Sequence, residues 1–350
     1  MSRHALLFLL LAASACSADA ETYLVLPDGS GAYPTIQAAI NSASDGDIIL
    51  LADGVFLGAG NRDIDFSGEA ISVQSQSDSP LDCVIDCQGS TSAHHRGFIF
   101  SSCETGSSVL RGVTVTNAYV AGSFPAGDGG GVYCEDSSPE IVNCVFSDNV
   151  AVGGAGAFCY HGSDPSFTDC TFTGNRELGG TGGAMYCYFV CAPTLLRCDF
   201  VGNVPSGLHF QLGSQPDIRD CTFQDHESYG ISLSSSDATI VSSSFFGNAG
   251  LAIRIAESTV DMSNCALWSN RAEEGGALYF NWGSSGVISD CLFHHNASDG
   301  SGGVAWCDDA SVTFVSCTMA YNEAGSGAGG IDCGSATVTL ENTIIAFSTG

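Results

Sequence analysis

The chain has 350 residues, 44 of them glycine and 17 cysteine, and it carries a formal charge of -29. All nine basic residues are arginine, and no lysine occurs anywhere. A surface this acidic repels phosphate backbones and anionic headgroups, which excludes nucleic acid and anionic membranes as partners, and it repels a polyanionic polysaccharide at long range unless Ca²⁺ bridges the two.

Met1–Ala20 reads as a secretory leader: Arg3 near the start, an apolar run Ala5–Ala13, and Ala18-Asp19-Ala20 as the cleavage site after Ala20. Removing it takes away one acidic residue and one arginine, so the charge stays at -29. The run is too short to span a bilayer, and no other stretch is a transmembrane candidate. Ala13-Ser14-Ala15-Cys16 loosely resembles a bacterial lipoprotein box, with Ala13 where Leu is expected, so lipidation at Cys16 is the alternative. Either way the protein is expected to be secreted or held at the outer cell surface.

Residues 21–46 read as a cap. Pro34-Thr35 precedes Ile36, Ala39, Ile40 and Ala43 at helical spacing, with Thr35 as N-cap. A short amphipathic helix here would cover the open first coil and its unpaired strand edge. Asp47–Ala52 is the expected first strand. Residues 53–128 are less regular, and Val109–Asn117 is an early, imperfect coil.

From Pro139 onward one unit recurs nine times: PEIVNCVFSDN, PSFTDCTFTGN, PTLLRCDFVGN, PDIRDCTFQDH, ATIVSSSFFGN, VDMSNCALWSN, GVISDCLFHHN, VTFVSCTMAYN and VTLENTIIAFS. The closing residues are Asn149, Asn175, Asn203, His226, Asn248, Asn270, Asn296, Asn322 and Ser348, spaced 26, 28, 23, 22, 22, 26, 26 and 26 apart. Apolar residues alternate with polar ones around the cysteine position, as in a strand with one buried face. The residue just before that position (Asn143, Asp169, Asp220, Asn264, Asp290) suits a sharp left-handed bend. A unit this short cannot bury its own apolar side and must stack on copies of itself.

Between the copies lie glycine-rich segments that lead into a third strand: Gly129–Cys134, Gly154–Cys159, Gly182–Cys187, Gly275–Phe280, Gly302–Cys307 and Gly329–Cys333. The fold class is therefore all-β, a right-handed single-stranded parallel β-helix over residues 47–350. About 12 coils at roughly 4.8 Å each make a rod on the order of 58 Å long. The last copy ends without a recognisable cap, and a C-terminal cap or sorting domain is expected beyond Gly350.

The glycine-plus-apolar segments paired with F-x-x-N (Phe146–Asn149, Phe172–Asn175, Phe200–Asn203, Phe245–Asn248, Phe293–Asn296) resemble the repeats of chlamydial polymorphic outer membrane proteins. More broadly, residues 110–350 are similar to right-handed parallel β-helix proteins of the pectin-lyase-like superfamily. That resemblance implies a fold hosting lyases, hydrolases, esterases and non-catalytic adhesins. The polygalacturonase-like pattern is not met: His161-Gly162 precedes Asp308-Asp309, NTD is absent, and R-x-K needs a lysine.

Cys144, Cys170, Cys198, Cys221, Cys265, Cys291 and Cys317 share one inward position, and Cys134, Cys159, Cys187, Cys307 and Cys333 another. In-register side chains pointing the same way suit buried thiols better than disulfides. Cys83, Cys87, Cys103 and Cys191 lie outside both rows and are the better bridge candidates. No cofactor or dedicated metal motif is read, and Ca²⁺ is the one ion that Asp63/Asp65, Glu135/Asp136 or Asp308/Asp309 would suit. His94/His95 and His294/His295 are neighbours expected to point to opposite faces.

The closing asparagines read as stacked turn amides rather than as a binding stripe. Coils around 204–272 are short and have single-glycine entries (Gly207, Gly230, Gly250), so longer flanking coils would leave a shallow groove there. Asp225, His226, Glu227 and Arg254 are the candidate acid/base residues beside it, with His209 and Arg219 in the same coils. The expected role is a non-catalytic adhesin, passenger or glycan-binding rod, with polysaccharide or cell-surface glycan as partner; the alternative is a polysaccharide lyase or hydrolase using that groove.

Overall fold

A computed structural model describes residues 20–180 and 182–350. The expected leader and Cys16 lie outside the described residues, and Ala20 is the first inside them. No described helix is long and apolar enough to cross a membrane.

Three sheets run the length of the chain, with 13, 12 and 11 strands, and every strand pairs with its counterpart one coil away. The first sheet extends from Thr22–Val25 to Thr337–Glu341, the second from Gly54–Phe56 to Ile344–Ala346, and the third from Ile64–Asp65 to Ile331–Cys333. The pairings are parallel and in register, for example Phe146 opposite Phe172 and Cys159 opposite Cys187. A parallel strand that returns to its own sheet one coil later is a right-handed β-helix of about 12 turns.

The expected left-handed bends are present. Asn143, Asp169, Asp220, Asn264 and Asp290 have φ of 50°, 55°, 54°, 55° and 52°, and Arg197, Ser242, Ser316 and Asn342 adopt the same conformation at the equivalent position. Glycine is required at the next corner for a different reason. A Cβ on Gly131 would lie 2.5 Å from the carbonyl of Gly156 and 2.8 Å from Phe146.

Inside the rod, Phe146, Phe172, Phe200, Phe223 and Phe245 are fully buried and stack with centroids 4.9, 5.0, 4.8 and 4.6 Å apart. Asn149, Asn175, Asn203, Asn248, Asn270, Asn296 and Asn322 form a second interior row. Wherever the next rung is also an asparagine, the side-chain amide donates to its carbonyl oxygen, as Asn149 to Asn175 at 3.0 Å and Asn248 to Asn270 at 2.8 Å. It also donates to a backbone carbonyl one coil earlier, as Asn175 to Phe146 at 2.9 Å. These bonds satisfy buried polar groups that would otherwise cost about 1–3 kcal/mol each.

Every cysteine among the described residues is a free thiol. The seven-member row lies at the corner after the left-handed bend. There Cys198 and Cys265 donate their backbone N–H to the sulfur of Cys221 and Cys291, both at 3.4 Å. Burial pushes Cys134, Cys170 and Cys187 well above the ordinary thiol range. The bridges expected at Cys83, Cys87, Cys103 and Cys191 are not formed. Cys83 and Cys87 both face the core, four residues apart along extended chain, about 13 Å and beyond disulfide reach. Cys191 is a buried free thiol near Cys159, and Cys103 is exposed.

The expected helix is present, with Thr35 as its N-cap. Helix Ile36–Ile40 is capped by Thr35, whose hydroxyl accepts from the Ala38 N–H at 3.2 Å, and it buries Ile36, Ala39 and Ile40. The same segment also supplies a strand: Thr22–Val25 pairs with Ile48–Leu51, so the first sheet begins before Asp47.

Candidate functional site

Two short accessory ladders mark where the corner after the asparagine row is long. One joins Val150–Ala151 to Arg176–Glu177, and the other joins Arg271–Ala272, Ala297–Ser298 and Glu323–Ala324. Between them the coils are at their shortest, and the chain passes directly from the asparagine row into the third sheet. The expected groove is present at the second boundary. It has a volume of about 550 Å³ and is lined by Ser228, Tyr229, Ala249–Leu251, Arg254, Ala272–Glu274, Tyr279, Asn281 and Trp282.

Each functional side chain is placed by strand register. Ser232, Arg254, Tyr279 and Trp306 follow one another on the outer face of the third sheet. The rings of Tyr279 and Trp306 stack at 4.7 Å. Trp282 sits in a left-handed turn just past strand Leu278–Asn281, with φ of 56°, and is 59% exposed. The Arg254 guanidinium lies 5.5 Å from its ring centroid and donates to the Ser234 hydroxyl at 3.4 Å. Glu273 and Glu274 also line the groove and are exposed. Asn281 is 7% exposed, and its Oδ1 has no hydrogen-bond partner among the described residues.

Of the four candidate residues, the structure brings only Arg254 into this groove. His226 is 1% exposed and forms a rung of the interior row. Its Nδ1 accepts the backbone N–H of Asn203 at 3.1 Å, and its own N–H donates to Asn248 Oδ1 at 3.2 Å. Burial holds its pKa down to about 4, so the ring is neutral and out of reach of a surface ligand. Asp225 and Glu227 flank it on the outside, exposed and not part of the groove lining. His209 belongs to the same outer row as Arg254, two coils earlier, and is held to about 4 by burial and then by the Arg254 charge. Arg219 pairs with Asp217 on a different sheet.

The carboxylates suggested for Ca²⁺ mostly have protein partners. Asp63 pairs with His95 and Asp136 with His161, each at 2.7 Å, and Asp308 accepts from the Ser335 N–H at 3.0 Å. Among the described residues no three His, Cys, Asp or Glu side chains gather as a metal cluster. His294 and His295 do not point apart as expected. A φ of 56° at His295 turns the chain, and the two Nδ1 atoms approach to 2.9 Å.

Sequence reasoning missed Tyr229, Glu273, Glu274, Tyr279, Asn281 and Trp282. The signal was available in the repeat itself. Tyr279 holds the Arg254 position one coil on, and Glu273-Glu274 opens the first long corner after three short coils.

Comparison with known proteins agrees with this architecture. The family described as right-handed beta helix region matches residues 48–215, 130–285 and 206–349. The catalytic unit of a thermostable α-1,3-glucanase from Streptomyces thermodiastaticus superposes with a TM-score of 0.57 at 14% identity, covering 93% of this chain and 69% of that one. The A-module of a mannuronan C-5 epimerase from Azotobacter vinelandii gives 0.51 at 14% identity, covering 89% and 94%. At such identity the likeness is one of fold. Curated protein sequences give no match.

Proposed function

The chain belongs to the right-handed β-helix family, and from that premise we propose that it is a polysaccharide-active protein that seats a carbohydrate chain in the groove between Glu273–Glu274 and Trp282. One observation carries the reading: a concave site on a rigid sheet where aromatic rings, two carboxylates, a buried amide and one guanidinium converge. Sugar rings present C–H faces that pack on Tyr and Trp, and hydroxyls that bond to carboxylate, amide and guanidinium groups. Glu273 and Glu274 are the carboxylates available for proton transfer, and Arg254 is placed to bond a substrate oxygen or stabilise negative charge developing on it. The two solved structures above are an enzyme named for a glucan and one named for mannuronan, which supports a fold suited to such chemistry. The secretory leader expected from residues 1–20 supports a site of action outside the cell.

The test is depolymerisation. The mature chain is incubated, with and without Ca²⁺, against plant and algal polysaccharides while new reducing ends and unsaturated products are followed. Turnover that is lost in Glu273→Gln or Glu274→Gln supports the assignment. Turnover that survives in both variants removes these carboxylates from the chemistry.

A second reading is a glycan-binding surface rod or adhesin without catalysis, the role its repeats suggest by their resemblance to chlamydial outer membrane proteins. The burial of His226 favours it, because among the described residues the groove lining then contains no imidazole. Retention on a glycan without any product would decide for it.

A further inference from the structure

Resting on the groove as a glycan site, we infer that it selects an uncharged polysaccharide and rejects polyuronates. The groove has one cation, Arg254, against two carboxylates, Glu273 and Glu274. The guanidinium is partly committed within the protein, over Trp282 and to the Ser234 hydroxyl. Neither carboxylate has a hydrogen-bond or ion-pair partner among the described residues, and both are exposed at the rim. The third open valence is Asn281 Oδ1, buried at the groove and unpartnered.

Apart from the N–H groups that Arg254 keeps free, the unfilled positions are acceptors. A carboxylate accepts only, and the Asn281 oxygen accepts only. The ligand that completes them supplies O–H donors at three points, which the hydroxyls of a neutral sugar do. A uronate exchanges one hydroxyl donor for a carboxylate that only accepts, and it brings a negative charge beside two like charges. The rest of the molecule acts in the same direction, because a formal charge of -29 repels a polyanion before contact. Net acidity alone would not discriminate at the site; the unpaired acceptors within the groove do.

The experiment measures retention of the mature chain by affinity electrophoresis in gels carrying uncharged glycans (glucans, galactomannan, xyloglucan) or polyuronates (polygalacturonate, alginate), at low and at high salt. The expected result is retention by an uncharged glycan, insensitive to salt and lost in Trp282→Ala, and at least about tenfold weaker retention by polyuronates at low salt. Salt should strengthen whatever polyuronate binding occurs, since it screens repulsion. The double variant Glu273→Gln/Glu274→Gln should shift the polyuronate-to-neutral ratio upward by about tenfold. Tighter retention by a polyuronate at low salt, or a ratio unmoved in the double variant, overturns the charge selection and leaves the groove as a glycan site. No retention by either class removes the groove reading, and this inference with it.

Discussion

The backbone N–H of Asn203 points at Nδ1 of His226, 3.1 Å away in the next coil, where every neighbouring rung from Asn149 to Asn322 offers an amide oxygen. With its proton on Nε2 the ring accepts this N–H, and with it on Nδ1 the ring donates to the Asn203 carbonyl at 3.3 Å; in both tautomers Nε2 is buried without a partner. In the first tautomer His226 keeps one asparagine function, acceptance from the coil before, and in both it lacks the amide group with which asparagine donates to the next rung. His226→Asn should restore the row and raise the thermal midpoint. His226→Ala should lower stability by about 1–3 kcal/mol through the lost rung. Thermal and denaturant unfolding of the two variants checks this, and neither change should alter glycan retention.

Acid should weaken the fold in a defined window. His226 and His209 are both held to about 4 by burial, against an ordinary 6.5. The unfolded chain therefore takes up protons first, and the contribution of these rings is complete above about 6.5 and falls away as pH drops toward 4. Asp128 acts in the opposite sense. Burial pushes it up to about 6 despite Arg96, so its contribution is complete below 3.8 and lost as pH rises through 6. Two imidazoles outweigh one carboxyl, and the urea midpoint should fall between pH 6.5 and 4. A midpoint that rises over that range would contradict the burial of both rings. His226→Asn should flatten part of the fall.

In the groove, Trp282→Ala and Arg254→Ala should each weaken glycan retention by about tenfold or more, the usual cost of removing an aromatic or arginine anchor. Both side chains sit on the outer surface, so the unfolding midpoint should move little. Retention that survives both changes would place the ligand elsewhere.

Thiol labelling of the native protein should modify Cys103 and Cys333 rapidly. The other cysteines of the described residues, all buried, should react only on unfolding.

Phe223→Ala should cost about 3–5 kcal/mol, because the ring is fully buried and sandwiched between Phe200 and Phe245 at 4.8 and 4.6 Å. Unfolding in denaturant measures it.

The rod was legible because its rules repeat. Asn143 and its equivalents announce the bend, the phenylalanines the core, and the asparagines the corner, and each is confirmed several times along the chain. The groove was legible as a place, from coil spacing, but not as a set of residues. His226 attracted attention as a histidine between two acids, yet its register position, in line with Asn203 and Asn248, assigned it to the interior. Tyr279 and Asn281 were inconspicuous because a single repeat cannot show which outward positions meet across coils. Trp282 depends on a left-handed turn; Asn281 and Gly283 announce a turn there but not which side chain it exposes to the groove. The pairing of His294 with His295 was missed for the same reason, since strand alternation fails where φ changes sign.

Wherever two asparagines follow one another, the row joins coil to coil through the same pair of atoms, whatever the coil's length between corners. Insertion of one complete coil between two others would renew the rung at each side, while insertion of one residue within a strand would break the rungs of that coil. The length of this rod is thus a quantised trait, changed by whole turns, whereas the corners can lengthen continuously without disturbing the interior. Such an architecture separates the inheritance of size from the inheritance of specificity, and the corner at Glu273–Glu274 is where this chain has used that freedom.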